Sequence, residues 1–207
     1  DDYKVLTGKF DVDTKEFIGK VFPSSRLKTM HDYILGFLLN DKLPITEKII
    51  NKSNILTEFG EINATSTASE ADIFSNYINL ESGYKLINTG TIDPYRTTWG
   101  VENLTNKGEK YLTPYLKIEP QVISSNRIKL YESPKIIISK IGLQCEAFYD
   151  RLGEYASVNT NCIHSFKEGF LPEYLLAWLN SKLYNYTFEC LFDGLRMSGG
   201  YLLFSAP

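Results

Sequence analysis

The chain has 207 residues, of which 43% are hydrophobic and 23% charged, with a formal net charge of −3. That composition supports one sizeable core, or one core with a helical appendage. It excludes an apolar run of the roughly 18 residues needed to cross a membrane as a helix, and the N-terminus lacks the basic-then-apolar pattern of a secretory leader.

In chain order, residues 1–25 read as a strand-and-turn lead-in that ends at Pro23-Ser24-Ser25. Ser25 then suits a helix cap, and Leu27, Met30, Ile34, Leu35 and Leu38 recur at helical spacing up to about Asn40. Pro44 breaks that pattern, and the polar Lys48–Lys52 stretch marks a boundary. We therefore expect an N-terminal connector over residues 1–50 and a main domain over 51–207. Thr67-Ala68-Ser69-Glu70 matches a capping box, and the apolar residues Ile73, Phe74, Tyr77, Ile78 and Leu80 extend the expected helix to Gly83.

From Tyr84 the pattern changes to short extended runs over residues 84–88, 134–139, 143–149 and 155–163. Ile136-Ile137-Ile138 suits a buried strand, and Asp150-Arg151-Leu152-Gly153 suits a hairpin connection. The predicted fold class is α+β, with a mixed, mostly antiparallel sheet and packed helices. Pro172 fits the first turn of a closing amphipathic helix, which runs through Leu179 and Phe192 to Gly194; Gly199-Gly200 then turns the chain into Tyr201–Phe204.

Charge is unevenly distributed. Residues 84–151 carry ten Lys/Arg against seven Asp/Glu, whereas both flanking segments are acidic. Within this basic middle, Gly90 permits an unusual backbone angle and Asp93-Pro94 initiates a turn. Tyr95, Arg96, Thr97 and Thr98 are thereby presented on an exposed excursion. Arg pairs with guanine O6 and N7, Thr meets donors, acceptors or a thymine methyl, and an aromatic ring stacks or wedges. The same turn with its aromatics on the core and Arg96 merely solvated is the alternative, and for Trp99 core packing is preferred.

Lys107, Lys110, Arg127 and Lys129 follow among aromatics and hydroxyls, as phosphate contacts would. Lys140 and Arg151 lie near strand ends. Asn159 and Asn161 occupy alternate positions of a returning strand, where Asn suits adenine N6 and N7 or satisfies neighbouring backbone instead. Arg196 completes the set. Cys145, Cys162 and Cys190 are odd in number and without a Cys-x-x-Cys pair, which points away from a disulfide framework and toward a reducing cytoplasm. Cys162-Ile163-His164 has no helpers at metal-ligand spacing, so a buried thiol and a partly exposed imidazole are expected and no metal site.

Three blocks together resemble one known family. They are YKLINTGTIDPYRTTW (84–99), PKIIISKI (134–141) with the segments that follow it, and the closing Leu179-Asn180-Ser181 with GLRMSGGY (194–201). The chain is similar to the TaqI-like C-terminal specificity domain of adenine-specific DNA methyltransferases and fused restriction–modification enzymes, over roughly residues 55–207. The resemblance implies double-stranded DNA as partner and a methyltransferase catalytic domain, covalently upstream. It assigns S-adenosylmethionine, with Mg for cleavage, to that parent enzyme and no cofactor to this chain.

The chain carries no Asn/Asp-Pro-Pro-Tyr/Phe motif and no Gly-rich nucleotide loop, so it is not expected to be an enzyme by itself. Its first residue is Asp1 rather than Met, which reads as a piece of something longer. A protein- or glycan-interaction module is the alternative reading; a stand-alone hydrolase ranks last.

Overall fold

The computed structural model describes residues 2–25, 43–118, 122–192 and 196–204. Contacts divide the chain into two compact units, one comprising Asp1–Asn54 with Tyr186–Arg196, the other Ile55–Asn185 with Met197–Pro207.

In the first unit, β1 (Lys4–Asp11) and β2 (Glu16–Pro23) form an antiparallel hairpin with Lys4 opposite Pro23 and Asp11 opposite Glu16. The turn is held by Asp11, whose Oδ1 accepts the N–H groups of Asp13 (2.9 Å) and Thr14 (3.0 Å). Gly8 and Gly19 face each other across the ladder because the Phe17 ring occupies the space where a Cβ on either would project. Leu6, Phe10, Phe17 and Val21 are exposed. At the hairpin's open end, Asp2 accepts hydrogen bonds from the hydroxyls of Ser24 (2.8 Å) and Ser25 (3.0 Å). Residues 48–50 of the expected polar boundary lie in α1 (Leu43–Ile50), which has Pro44 in its first turn, where a missing N–H costs no hydrogen bond. The connector helix expected over Leu27–Asn40 lies outside the described residues.

The second unit holds two four-stranded sheets. One has the order β14 (Tyr155–Val158), β5 (Tyr84–Asn88), β10 (Tyr115–Leu116), β4 (Ile78–Asn79), with β14 and β5 parallel and the rest antiparallel. The other is antiparallel throughout: β13 (Ala147–Asp150), β11 (Lys135–Ser139), β15 (Thr160–His164), β3 (Glu61–Ala64). Three short ladders complete it: β6 (Ile92–Asp93) with β7 (Arg96–Thr97), β8 (Leu104–Asn106) with β9 (Glu109–Tyr111), and β12 (Ile141–Gly142) with β16 (Leu202–Leu203). The class is α+β and mostly antiparallel, as the alternation of short extended runs predicts.

β5 is buried on both faces. Leu86 packs with Phe74, Leu116, Tyr131 and Ala156, while its neighbour Ile87 packs with Ile92, Ile137 and Phe148. Opposite-pointing side chains on one strand thus supply two cores, and each fully buried Leu or Ile contributes about 1.5–3 kcal/mol.

The structure alters four local expectations. The capping box forms as expected, with Glu70 N–H on Thr67 Oγ1 (3.1 Å) and Thr67 N–H on Glu70 Oε2 (2.7 Å). However, the helix that follows, α2 (Ala68–Phe74), stops at Phe74, because Ile78 leaves the helix to pair with Leu116 as a strand. The closing helix is two helices, α4 (Pro172–Leu179) and α5 (Lys182–Phe192). Ser181 begins the second by accepting Tyr184 N–H on its Oγ at 3.1 Å. The 150–153 connection is no hairpin, since β13 and β14 belong to different sheets. Finally, the extended run 155–163 is broken at Asn159, whose φ of 56° separates β14 from β15. Gly194, expected to close the helix, lies outside the described residues.

Candidate nucleic-acid interface

The second unit brings four separate turns to one end. β14 and β5 run parallel and finish together at Val158 and Asn88, while β11 finishes at Ser139 opposite Thr160, where β15 starts. Thr89 ties these ends to each other: its Oγ1 donates to the Asn159 carbonyl and accepts the Lys140 N–H at 3.3 Å. The left-handed Asn159 and Lys140 therefore emerge side by side, Asn159 exposed and Lys140 half-buried.

The Asp93–Arg96 turn stands at the same end, because Tyr95 N–H donates to the Ala147 carbonyl (2.8 Å) and Ala147 pairs with Ile138 near the finish of β11. Asp93 and Arg96 are cross-strand partners, leaving Pro94 and Tyr95 as the two corner residues. Proline holds its φ near −65°, and Tyr95 has φ 70°, the sign pattern of a type II turn whose second corner normally belongs to glycine. A bulky aromatic there is a backbone outlier, costing on the order of 1–3 kcal/mol. Yet the Tyr95 side chain gains little burial in return, being 56% exposed. Arg96 is also exposed and is held by Asp93 Oδ2, which accepts from Nε at 3.2 Å and from Nη2 at 2.8 Å. Gly90 enters this region without a positive φ: its N–H binds Asn88 Oδ1 (3.0 Å) in a single 3₁₀ turn.

Other sequence-chosen residues point elsewhere. Thr97 donates to the Thr91 carbonyl (2.7 Å) and accepts Trp99 N–H (3.2 Å), and Thr98 is buried. Trp99 packs edge-on against Tyr115 at 5.3 Å, with its indole N–H on the Pro114 carbonyl at 2.9 Å. Arg127 is largely buried, bridging Glu70 Oε2 (3.1 Å) and the Ala64 carbonyl (2.5 Å). Burial pushes the Glu70 carboxyl upward, but the Thr67 N–H and Arg127 outweigh it and leave the group below its ordinary value. Asn161 is buried and donates to the Phe204 carbonyl, so it serves the backbone rather than a base. Thr97, Trp99, Arg127 and Asn161 are drawn inward because each answers a backbone carbonyl within reach, whereas the Thr98 hydroxyl is buried without a hydrogen-bond partner among the described residues.

The remaining cations are dispersed. Lys107 and Lys110 occupy the β8–β9 hairpin, with Lys107 (φ 49°) 3.6 Å from Asp72. Lys129 is exposed on α3 (Ser125–Glu132). Arg151 follows the opposite end of β13, where it pairs with Glu173 at 2.6 Å. Arg196 pairs with Glu189 at 3.6 Å in the first unit. Cys162 is buried, and burial raises its thiol to about 12. His164 sets Nε2 2.6 Å from Asn63 Oδ1 and Nδ1 2.9 Å from Ser165 Oγ. Among the described residues no three His, Cys, Asp or Glu side chains group as metal ligands, and no described helix is long and apolar enough to cross a membrane.

Sequence reasoning missed two supports of this end. Asn180, between α4 and α5, accepts Ala147 N–H on Oδ1 (3.0 Å) and donates from Nδ2 to the Ala147 carbonyl (2.9 Å). Asn185 Oδ1 accepts Cys145 N–H at 2.6 Å. The signal was present in Leu179-Asn180-Ser181: an amide side chain carries a separate acceptor oxygen and donor nitrogen, which can satisfy both halves of a strand edge at once.

No curated protein sequence matches the chain significantly. A family model, the TaqI-like C-terminal specificity domain, matches residues 84–198, a stretch that contains the Asp93–Arg96 turn, Lys140, Asn159 and the Asn180 clasp. The match covers more than half of the chain, which therefore belongs to the TaqI-like C-terminal specificity domain family.

Proposed function

We propose that the chain reads a specific sequence in double-stranded DNA on behalf of an adenine methyltransferase catalytic domain. The observation that carries this reading is the exposed, left-handed Tyr95 beside Arg96, at the end of the unit where Lys140 and Asn159 also emerge. A strained aromatic with little burial to repay its backbone cost is what a contact residue looks like before its ligand arrives.

On duplex DNA, Arg96 would exchange its Asp93 partner for guanine O6 and N7 in the major groove, and Tyr95 would lie against a base face or sugar. Lys140 fixes register on phosphate, and Asn159 reaches adenine N6 and N7. The dispersed cations Lys107, Lys110 and Lys129 add phosphate attraction, while Arg127, Asn161, Thr97 and Thr98 serve the scaffold. The unit supplies base readout, and the catalytic domain supplies much of the phosphate binding, which accommodates a net charge of −3. S-adenosylmethionine, and Mg where the parent also cleaves, belong to that other domain, and no step assigned to this chain runs through them. The target adenine leaves the stack on the catalytic side, with contacts from the bound specificity domain offsetting part of the unstacking cost. Residues 1–50 would serve as the connector between the two.

The interaction-module reading has one observation of its own, the exposed apolar residues of the β1–β2 hairpin. Selection of bound duplexes from a random pool separates the two. A DNA reader enriches a fixed sequence, whereas an interaction module returns the pool unchanged.

A further inference from the structure

We infer that Asn180 is a positioning residue for the Tyr95–Arg96 turn. The inference rests on the reading of that turn as the DNA-contacting element.

β13 is an edge strand: β11 occupies one side of it, and among the described residues no strand of its sheet lies on the other. Ala147 turns both of its outward backbone groups to that open side. Asn180 takes the place of a neighbouring strand there, accepting the Ala147 N–H at 3.0 Å and donating to the Ala147 carbonyl at 2.9 Å. The same carbonyl accepts Tyr95 N–H at 2.8 Å. One peptide oxygen thus joins the Asn180 amide to the corner residue of the exposed turn.

Asn180 is itself fixed. Its Nδ2 also donates to the Leu176 carbonyl in the last turn of α4 (3.0 Å). Asn185, one turn into α5, holds the adjoining Cys145 N–H at 2.6 Å while its own Nδ2 binds the Ser181 carbonyl at 3.0 Å. The two amides clamp the 145–147 backbone against the helix junction, so the carbonyl that receives Tyr95 has little freedom to follow a relaxing turn.

That rigidity matters because a left-handed tyrosine persists only where its surroundings over-determine it. Tyr95 has few side-chain contacts to hold it, being more than half exposed. Its N–H is the tether, and the tether is as firm as the carbonyl that accepts it. Loosening Ala147 lets residue 95 return toward an ordinary negative φ, which swings the Tyr95 ring and the Arg96 guanidinium away from their common direction. Asn180 has no need to touch DNA to act in this way.

The test uses Asn180→Asp, which keeps the acceptor for Ala147 N–H and removes the Nδ2 donor to its carbonyl and to that of Leu176. Amide hydrogen exchange in the chain is followed by NMR, alongside binding to the selected duplex and to its single-base-pair variants. Loss of one such hydrogen bond corresponds to about ten-fold, so we expect Tyr95 N–H to exchange about ten-fold faster. Amides of Ile137 and Cys162 in the core should keep their rates. Discrimination between selected and altered duplexes should fall about ten-fold, with affinity for random duplex unchanged, a split that general destabilisation would not give.

Unchanged Tyr95 exchange in a folded variant overturns the positioning role. Faster Tyr95 exchange with undiminished discrimination upholds the tether and overturns the DNA reading of the turn instead. Should Asn180→Asp not fold, Asn180→Ser, which keeps a small donor and acceptor, is judged by the same exchange criterion.

Discussion

Lys135 Nζ lies 2.5 Å from Asp150 Oδ2, with both side chains essentially removed from water. Lys135 opens β11 and Asp150 closes β13 directly opposite it in the ladder. Both have further partners: Lys135 donates to the Tyr131 carbonyl (2.7 Å), and Asp150 accepts the N–H groups of Glu154 (3.0 Å) and Tyr155 (3.1 Å). The pair explains why the chain leaves one sheet at 150 and enters the other at 155. A carboxylate tied to the strand before it and to the backbone after it folds the short 151–153 segment between them, and Gly153 (φ 68°) passes so close to the Glu132 carbonyl that no Cβ would fit. Burial pulls the Lys135 ammonium below its ordinary pKa, against the opposing effect of Asp150.

Removing one member of this pair leaves the other charged and buried. We expect Lys135→Met to destabilise the fold by about 3–5 kcal/mol, and Lys135→Met with Asp150→Asn to cost less than Lys135→Met alone, because no uncompensated charge remains. Urea midpoints of the chain and both variants check this; a double variant as unstable as the single one would show that the charge itself is not what matters.

His164 gives the fold a pH dependence of determinable sign. Burial holds the imidazolium below its ordinary pKa of 6.5; Glu61 opposes that and Lys135 adds to it. The folded chain therefore binds the proton less readily than the unfolded chain. The contribution is fully present above about pH 6.5 and is lost as pH falls through the lower folded value. Melting temperatures between pH 8 and pH 5 should fall more for the native chain than for His164→Gln, and parallel curves would remove His164 as the cause.

Tyr95→Gly separates stability from recognition. Glycine adopts φ 70° freely, which relieves roughly 1–2 kcal/mol, while its greater unfolded-state freedom takes back about 0.5–1 kcal/mol. The variant should be as stable as the native chain or up to about 1.5 kcal/mol more stable, yet bind the selected duplex more weakly. A fall in stability would mean that the exposed ring supports the fold, contrary to the role proposed for it.

How far the sequence revealed this arrangement varies with the range of the forces involved. The Thr67–Glu70 capping box, strand β5 and the buried Ile136–Ile138 run follow from local pattern, because each depends on neighbours within a few residues. The turn at Asp93-Pro94 was legible for the same reason, although its left-handed residue is Tyr95 and not Gly90. What the sequence hid was long-range satisfaction of polar groups. Arg127 reaches Glu70 and Ala64, Asn161 reaches Phe204, and Asn180 reaches Ala147, each across tens of residues. Charge and side-chain type cannot tell such an inward partner from an outward contact. The break of the closing helix at Asn180-Ser181 was hidden likewise, since apolar periodicity continues across it while the Asn180 amide is drawn to a strand edge.

The most direct test of the proposed reading compares Arg96 with Arg151. Both are exposed arginines in ion pairs, with Asp93 and Glu173 respectively, but they lie toward opposite ends of β13. Neither should matter for stability beyond about 1 kcal/mol. Duplexes are selected from a random pool with the native chain joined to the proposed catalytic domain, with Arg96→Ala and with Arg151→Ala. A bidentate arginine–guanine contact is worth about 1–3 kcal/mol of discrimination, so Arg96→Ala should lose one guanine from the selected sequence while Arg151→Ala returns the native sequence. Recovery of the same sequence from all three proteins would contradict the assignment of the Tyr95–Arg96 turn as the reading element.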